Sequence, residues 1–580
     1  MRALLYGFAA SVVSASTLVV IWAGITAAGR VQDKESVSGI HLPIQRQSGR
    51  AAWKRSGNAA AMVGVGDNMD VTYNVLVQVG GTRTPLIIDT GSSDLWVISN
   101  ECRDRCPGSG VPLYTAASLT STGQSISLLY GDSRTGTHAS GVIGRDTISM
   151  AGLSVPDQYF AAIMDTNTTV LQTGSAGILG LGFPPISLIW RQLLDMHSDQ
   201  SMMLPTKRSM NSNHSTGTTL PSTNSDLQKL EWSSAHEARQ EASQLSPVNT
   251  FPTLGPLLTR LVTLKVLERP LVVTTLQRDT ISFSSNEGTL SLGALPFGLA
   301  DSQLTWVPVR SYSVAQGGLP PPPYATDEVS VYPLAWEVPI DEVYFDGVKL
   351  PRSTMSPSSI SLSALVDTGN SLMRGPQDVL ATIYTQLGLD ALGTFDCSIP
   401  HNLSFLIGGK QFPVDPRDFA HPAAVTPGTV YSDEIARCTP ALAATDPPGN
   451  GGFQYSWSLG DPFLKSTMVA FYYGNMTHPS QDPARIGFMS MVPSDAGSVL
   501  EQAVDAAIAN GGVFLSTSEP APYATSVRLV STMTMADVPD ITQGSPRTSS
   551  GAARGVRPGA LWWVYALMAA LSAGVMAFLP

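Results

Sequence analysis

The chain has 580 residues, 43% of them hydrophobic and 14% charged, with a net charge of −11. That is too long for one ordinary domain, and the apolar fraction excludes a wholly disordered chain. The acidity and the lack of a long Lys/Arg run argue against a nucleic-acid surface, and 52 Gly with 42 Pro favour turns and strands over a helical bundle.

From the N-terminus, Arg2 precedes an apolar stretch from Ala3 to Ile25, and Thr26-Ala27-Ala28 offers small residues for cleavage. Residues 1–28 are expected to be a secretory signal peptide. The next stretch ends in the dibasic pair Lys54-Arg55, so 29–55 is expected to be a pro-segment removed by a furin-like protease. A first lobe is expected over 65–310. In it an apolar run delivers Asp89-Thr90-Gly91-Ser92, and Cys102 and Cys106 follow. Ile126 to Tyr130 reads as a β-run turning at Gly131-Asp132, with Val142-Ile143 and Thr147-Ile148 as return strands of a hairpin. Residues 195–249 are rich in Ser, Thr, Asn and Gln and read as a polar, irregular insertion with a second dibasic pair, Lys207-Arg208. Thr289 to Leu292 reads as a strand ending at Gly293. Residues 311–330, with four successive prolines, read as a linker.

The second lobe is expected over 331–493. Val338 to Phe345 reads as one strand before a turn at Asp346-Gly347, and a second apolar run delivers Asp367-Thr368-Gly369-Asn370. Cys397 and Cys438 complete an even cysteine set, as disulfides require, although four cysteines allow three connectivities. Ala496 to Ala509 reads as an amphipathic helix stopped by Asn510-Gly511-Gly512, inside a stalk over 494–550. The tail from Ala560 is apolar and uncharged. Behind the small residues Ser549, Ser550 and Gly551 it reads as a GPI-attachment signal over 551–580, with Ser550 as acceptor and a transmembrane helix as the alternative. Sequons at Asn167, Asn213, Asn402 and Asn475 suit the secretory route.

The two Asp-Thr-Gly turns are an internal repeat. Each follows an apolar run, and a second correspondence supports the pairing: Ile178-Leu179-Gly180 ends 91 residues after Asp89, and Ser458-Leu459-Gly460 ends 93 after Asp367. Two homologous lobes follow. Glycine after threonine lets another backbone come close. Two such loops meeting at a pseudo-twofold axis would place two carboxylates about a water apart, where they share one proton. The ionised carboxylate would take a proton from water while the protonated one polarises a substrate carbonyl. The hydroxyls of Thr90 and Thr368 could lock the loops together.

With Asp89 to Trp96, Tyr130-Gly131-Asp132, Gly177 to Gly182, Asp367 to Leu372 and Leu459 to Leu464 in view, the chain resembles the pepsin-like aspartic proteases over Val71 to Met491. Among them it is similar to the GPI-anchored, yapsin-like fungal group. The resemblance implies a mostly all-β, bilobal fold with a central cleft. It implies that Asp89 and Asp367 are the catalytic dyad, supported by Thr90, Ser92, Thr368 and Asn370. Substrate contacts would come from the flap residues Tyr130, Gly131 and Asp132 and from Gly91 and Gly369. It also implies the pairs Cys102–Cys106 and Cys397–Cys438. Asn370 departs from the family, which has a hydroxyl there that donates to the catalytic carboxylate.

The expected activity is endopeptidase action on peptides or proteins by a monomer attached to a membrane through its C-terminal anchor, without cofactor, metal or nucleic acid. The alternative is a non-catalytic peptide-binding or cell-wall protein on the same fold. No Gly-X-Ser-X-Gly elbow or His-Glu-X-X-His helix points to another protease chemistry.

Overall fold

The computed structural model describes residues 58–529, except 103–105, 107–109, 132–135, 204–245, 280, 282–287, 321–331, 424–435, 450–452, 513, 515 and 523–524. The expected signal peptide, pro-segment and attachment signal, with Ser550, lie outside the described residues.

In chain order the first half contributes β1 (Ala59–Gly64), β2 (Gly66–Asn68), β3 (Thr72–Val79), β4 (Thr82–Asp89), β5 (Leu95–Ile98), β6 (Thr120–Tyr130), β7 (Thr137–Met150), β8 (Leu153–Thr166), β9 (Gly177–Gly180), helix α1 (Leu188–Met203), β10 (Leu271–Thr275), β11 (Thr289–Leu292) and β12 (Thr305–Pro308). The second half contributes β13 (Glu337–Pro339), β14 (Glu342–Phe345), β15 (Ser363–Val366), β16 (Met373–Pro376), α2 (Gln377–Leu387), β17 (Leu442–Thr445), β18 (Trp457–Leu459), α3 (Asp461–Ser466), β19 (Thr467–Tyr472), β20 (Arg485–Ser490), α4 (Ala496–Ala509), β21 (Ser518–Glu519) and β22 (Thr525–Leu529).

Three sheets position the site. The first lobe is a nine-stranded sheet in the order β21-β2-β3-β4-β9-β5-β8-β7-β6, and the second lobe holds a five-stranded sheet in the order β13-β15-β18-β16-β17. A seven-stranded sheet, β12-β20-β19-β10-β11-β1-β22, draws strands from both halves. The strands that carry the two Asp-Thr-Gly turns are apolar because both faces are covered: Leu86, Ile88, Ala364 and Val366 are buried. Between the lobes, the Trp336 indole N–H and the Tyr473 hydroxyl both donate to the Leu181 carbonyl, at 2.9 and 2.6 Å. Phe183 packs on Trp336 with ring centroids 4.4 Å apart.

Several expectations are corrected. The flap hairpin returns as one strand, β7, rather than two short ones, since Thr137 to Met150 pairs along its length with β6 and β8. Val338 to Phe345 is not one strand. Ile340 still follows the register of β13 on β15, its N–H donating to Leu362, and the chain changes partner at Asp341, whose N–H donates to Leu406. The polar insertion begins as helix: α1 continues past Asp195 to Met203, anchored by buried Ile189, Trp190 and Leu193. Only its central stretch, with Lys207, Arg208 and Asn213, lies outside the described residues. The stalk expected from 494 is, as far as Leu529, part of the folded body. Leu500 and Val504 of α4 join the core, β21 pairs with β2, and β22 pairs with β1.

Candidate active site

Both lobes deliver their turns in the same way. β4 lies parallel to β9 with Asp89 opposite Gly180, and β15 lies parallel to β18 with Val366 opposite Leu459. The turns then interlock across a pseudo-twofold axis. Thr90 Oγ1 donates to the Val366 carbonyl at 2.8 Å and accepts the Thr368 N–H at 3.0 Å. Thr368 Oγ1 donates to the Ile88 carbonyl at 2.9 Å and accepts the Thr90 N–H at 3.0 Å. Both threonines are buried, so these bonds are shielded from water.

The glycines then set the approach. A Cβ on Gly91 would stand 2.5 Å from Asp367 Oδ1, and one on Gly369 would collide with Asp89 Oδ1. Each glycine is therefore needed for the opposite lobe's carboxylate. The Gly91 N–H donates to Asp89 Oδ1 at 2.8 Å and the Gly369 N–H to Asp367 Oδ1 at 3.0 Å. Beyond that the symmetry fails. Ser92 Oγ donates to Asp89 Oδ2, whereas the Asn370 side chain makes no hydrogen bond to the Asp367 carboxyl. Its Nδ2 donates to Ser458 Oγ at 2.9 Å instead, because β18 offers an acceptor on that side. Asn370, expected among the groups that support the dyad, thus makes no side-chain hydrogen bond to Asp367 in place of the family's hydroxyl.

Burial pushes both carboxyls above their ordinary range. At Asp89 the Ser92 hydroxyl, the Gly91 N–H and Asp367 oppose the rise. At Asp367 burial, joined by the Asp89 charge, lifts the value to about 8, moderated by the Gly369 N–H and Arg374. Two such groups titrate as a pair, and between the pair's two deprotonation steps they share one proton.

The pair opens into a cleft of about 820 Å³. Tyr130 and Gly131 border it from the end of β6, and the Trp96 indole N–H donates to Tyr130 Oη at 2.6 Å, fixing the ring over the cleft. Asp132 lies outside the described residues. Asp94, also on the cleft wall, accepts the Leu188 N–H at 2.9 Å and the Ile189 N–H at 3.3 Å, tying the first loop to the start of α1. The sequence reading missed Trp96 and Arg374. Both stand seven residues after their aspartate, so the repeat itself carried the signal.

Cys102 is bonded to Cys106 and Cys397 to Cys438. Of the sequons, Asn167 and Asn402 are exposed and Asn475 is half-buried. Among the described residues no helix is long and apolar enough to cross a membrane.

Comparison with known proteins gives one consistent picture. A family model described as eukaryotic aspartyl protease matches residues 72–203 and 247–478. Major aspartyl peptidase 1 of Cryptococcus neoformans var. grubii is 22% identical over 457 residues, covering 76% of this chain and 73% of its own. Gastricsin of Homo sapiens is 24% identical over 442 residues, covering 73% and 85%. An aspartic protease of Phaffia rhodozyma is 24% identical over 432 residues, covering 72% and 75%.

Proposed function

The chain belongs to the eukaryotic aspartyl protease family and is a pepsin-like aspartic peptidase, and from that premise we propose that Asp89 and Asp367 are its catalytic pair. The observation that carries this reading is the reciprocal fit of Gly91 against the Asp367 carboxyl and Gly369 against that of Asp89. That fit serves no purpose in a chain that only needs two turns.

In the reaction, a water between the carboxyls gives a proton to ionised Asp89 as its oxygen attacks the scissile carbonyl carbon. Asp367 gives its proton to the carbonyl oxygen, forming a neutral diol. The diol returns a proton to Asp367 while Asp89 protonates the leaving nitrogen, and the C–N bond breaks. The Ser92 hydroxyl suits Asp89 to the role of base, and the burial of Asp367 suits it to that of acid. Tyr130 would close over the peptide. Purified Asp89→Asn and Asp367→Asn proteins are expected to fold and to lose cleavage of a denatured protein substrate. Substantial activity in either would sink the assignment.

The wider setting is our reading of the sequence. We propose a secreted, monomeric, yapsin-like enzyme, freed of its pro-segment after Arg55, glycosylated at the four sequons and anchored through Ser550, acting on extracellular peptides or proteins. Detection of the uncut apolar tail in the mature protein would remove the anchor.

A further inference from the structure

The two catalytic loops share Asp-Thr-Gly and the serine that stands four residues after the aspartate, and among the places where they differ three are linked in the second lobe. The third residue after the aspartate is Ser92 in one lobe and Asn370 in the other, and the seventh is Trp96 or Arg374. Opposite that seventh residue the paired strand brings Ile178 to Trp96 and Ser458 to Arg374. In the first lobe Ser92 serves its aspartate directly and Trp96 is free to hold the flap tyrosine.

In the second lobe all three positions are polar, and Asn370 links the other two. Asn370 donates to Ser458 through Nδ2, and its Oδ1 accepts Arg374 Nε at 3.3 Å and the Leu372 N–H at 3.3 Å. Arg374 Nη1 also donates to the Ala444 carbonyl at 3.4 Å. The guanidinium is thus held from two sides in the wall of the cleft that Asp367 also lines.

We propose that Arg374, held by Asn370, is the second lobe's positioning residue, its charge supporting the Asp367 carboxylate as the Ser92 hydroxyl supports Asp89. This deepens the catalytic reading of Asp89 and Asp367 and rests on it. A charge acting through space leaves the carboxylate lone pairs open to water and substrate, which a bonded hydroxyl does not. The groups facing Asp367 are Asp89 across the axis, Asp461 at the start of α3, Tyr455 from the loop before β18, and Arg374 from β16. Among these Arg374 is the cation. It opposes the combined effect of burial and the neighbouring acids, which would otherwise hold the proton on Asp367 too firmly for its release and return in each turnover.

The test is the pH profile of kcat/KM with an uncharged fluorogenic peptide. Removing a nearby positive charge raises carboxyl pKa values, so Arg374→Gln should move both limbs to higher pH by about half a unit to one unit. Arg374→Lys should restore most of the wild-type profile. Asn370→Ala should shift the limbs in the same direction and by less, and adding it to Arg374→Gln should shift them no further. A profile for Arg374→Gln that superimposes on wild type would overturn the proposal. So would a uniform loss at every pH with unmoved limbs, or an Asn370→Ala shift that adds fully to that of Arg374→Gln. If these occur while Asp89→Asn and Asp367→Asn are inactive, only the role of Arg374 fails; if those variants cleave, the catalytic reading itself fails.

Discussion

Gly91 and Gly369 do at the scale of single residues what no other side chain could do. Their value lies in the missing Cβ, since each stands against the carboxyl of the opposite lobe. Gly369→Ala is expected to keep the fold, because neither glycine has a positive φ, and to displace Asp89 from its working position. A displacement of about 1 Å can cost about 100-fold in rate, so kcat/KM should fall by about that factor with an unchanged circular dichroism spectrum. Activity close to wild type would show that the close approach is dispensable. Asn370 makes the complementary point. Its identity as a departure from the family was legible in the sequence, but the direction of its amide was not. That direction depends on Ser458, which lies 88 residues further along the chain and arrives through strand pairing.

The C-terminal segment is where individual elements departed most from expectation. The sequence reads as a stalk over 494–550, yet β22 pairs with β1 from Ala59↔Leu529 to Val63↔Thr525, and β21 pairs with β2. Between them Pro522 lies against Gly64 so closely that no Cβ would fit there. β1 begins shortly after Lys54-Arg55, so this segment clasps the strand nearest the proposed maturation site. Without β22, β1 becomes an unprotected edge. A protein ending at 515 is therefore expected to melt several degrees below one ending at 531, each kcal/mol lost being worth about 2–4 °C in a domain of 150–250 residues. Equal melting midpoints would return the segment to the status of a stalk. The pattern was hard to read because these strands are short and their partners lie more than 400 residues earlier.

Across the whole molecule, the two lobes meet in a buried ionic cluster. Lys465 of α3 lies 3.4 Å from Asp70 and 3.6 Å from Asp418, while Arg278 pairs with Asp418 and, at 3.4 Å, with Asp415. The Asp70 N–H donates to Asp67 Oδ1 at 3.0 Å, and Tyr73 and the Asp279 N–H both donate to Asp70 Oδ1. Burial, then the charges of Asp70 and Asp279, lift Asp67 from the ordinary 3.8 to about 9. Asp279 is raised as well, burial again leading. A carboxyl with a raised pKa holds its proton in the folded state at pH values where the unfolded chain has lost it. Between about 4 and 9 the folded state therefore binds more protons, and stability falls as pH rises. Chemical denaturation across that window should show the decline, and Asp67→Asn should make it shallower, the other raised carboxyls keeping part of it. A variant with the wild-type slope would remove Asp67 from this role.

Local chemistry makes the central features readable in the amino-acid sequence alone. Two Asp-Thr-Gly turns behind apolar strands, echoed by Leu-Gly pairs at matching offsets, specify two lobes and a carboxylate pair, because buried strands and tight turns are encoded by neighbouring residues. The strand Thr289 to Leu292, ending at Gly293 with its positive φ of 81°, is equally local. Long-range pairing decided the rest. Which way Asn370 turns, what Arg374 stands beside, which strand Leu529 joins and which acids gather around Lys465 depend on partners distant in the chain. Their energies come from desolvation and contact, which exist only once the lobes have closed on each other.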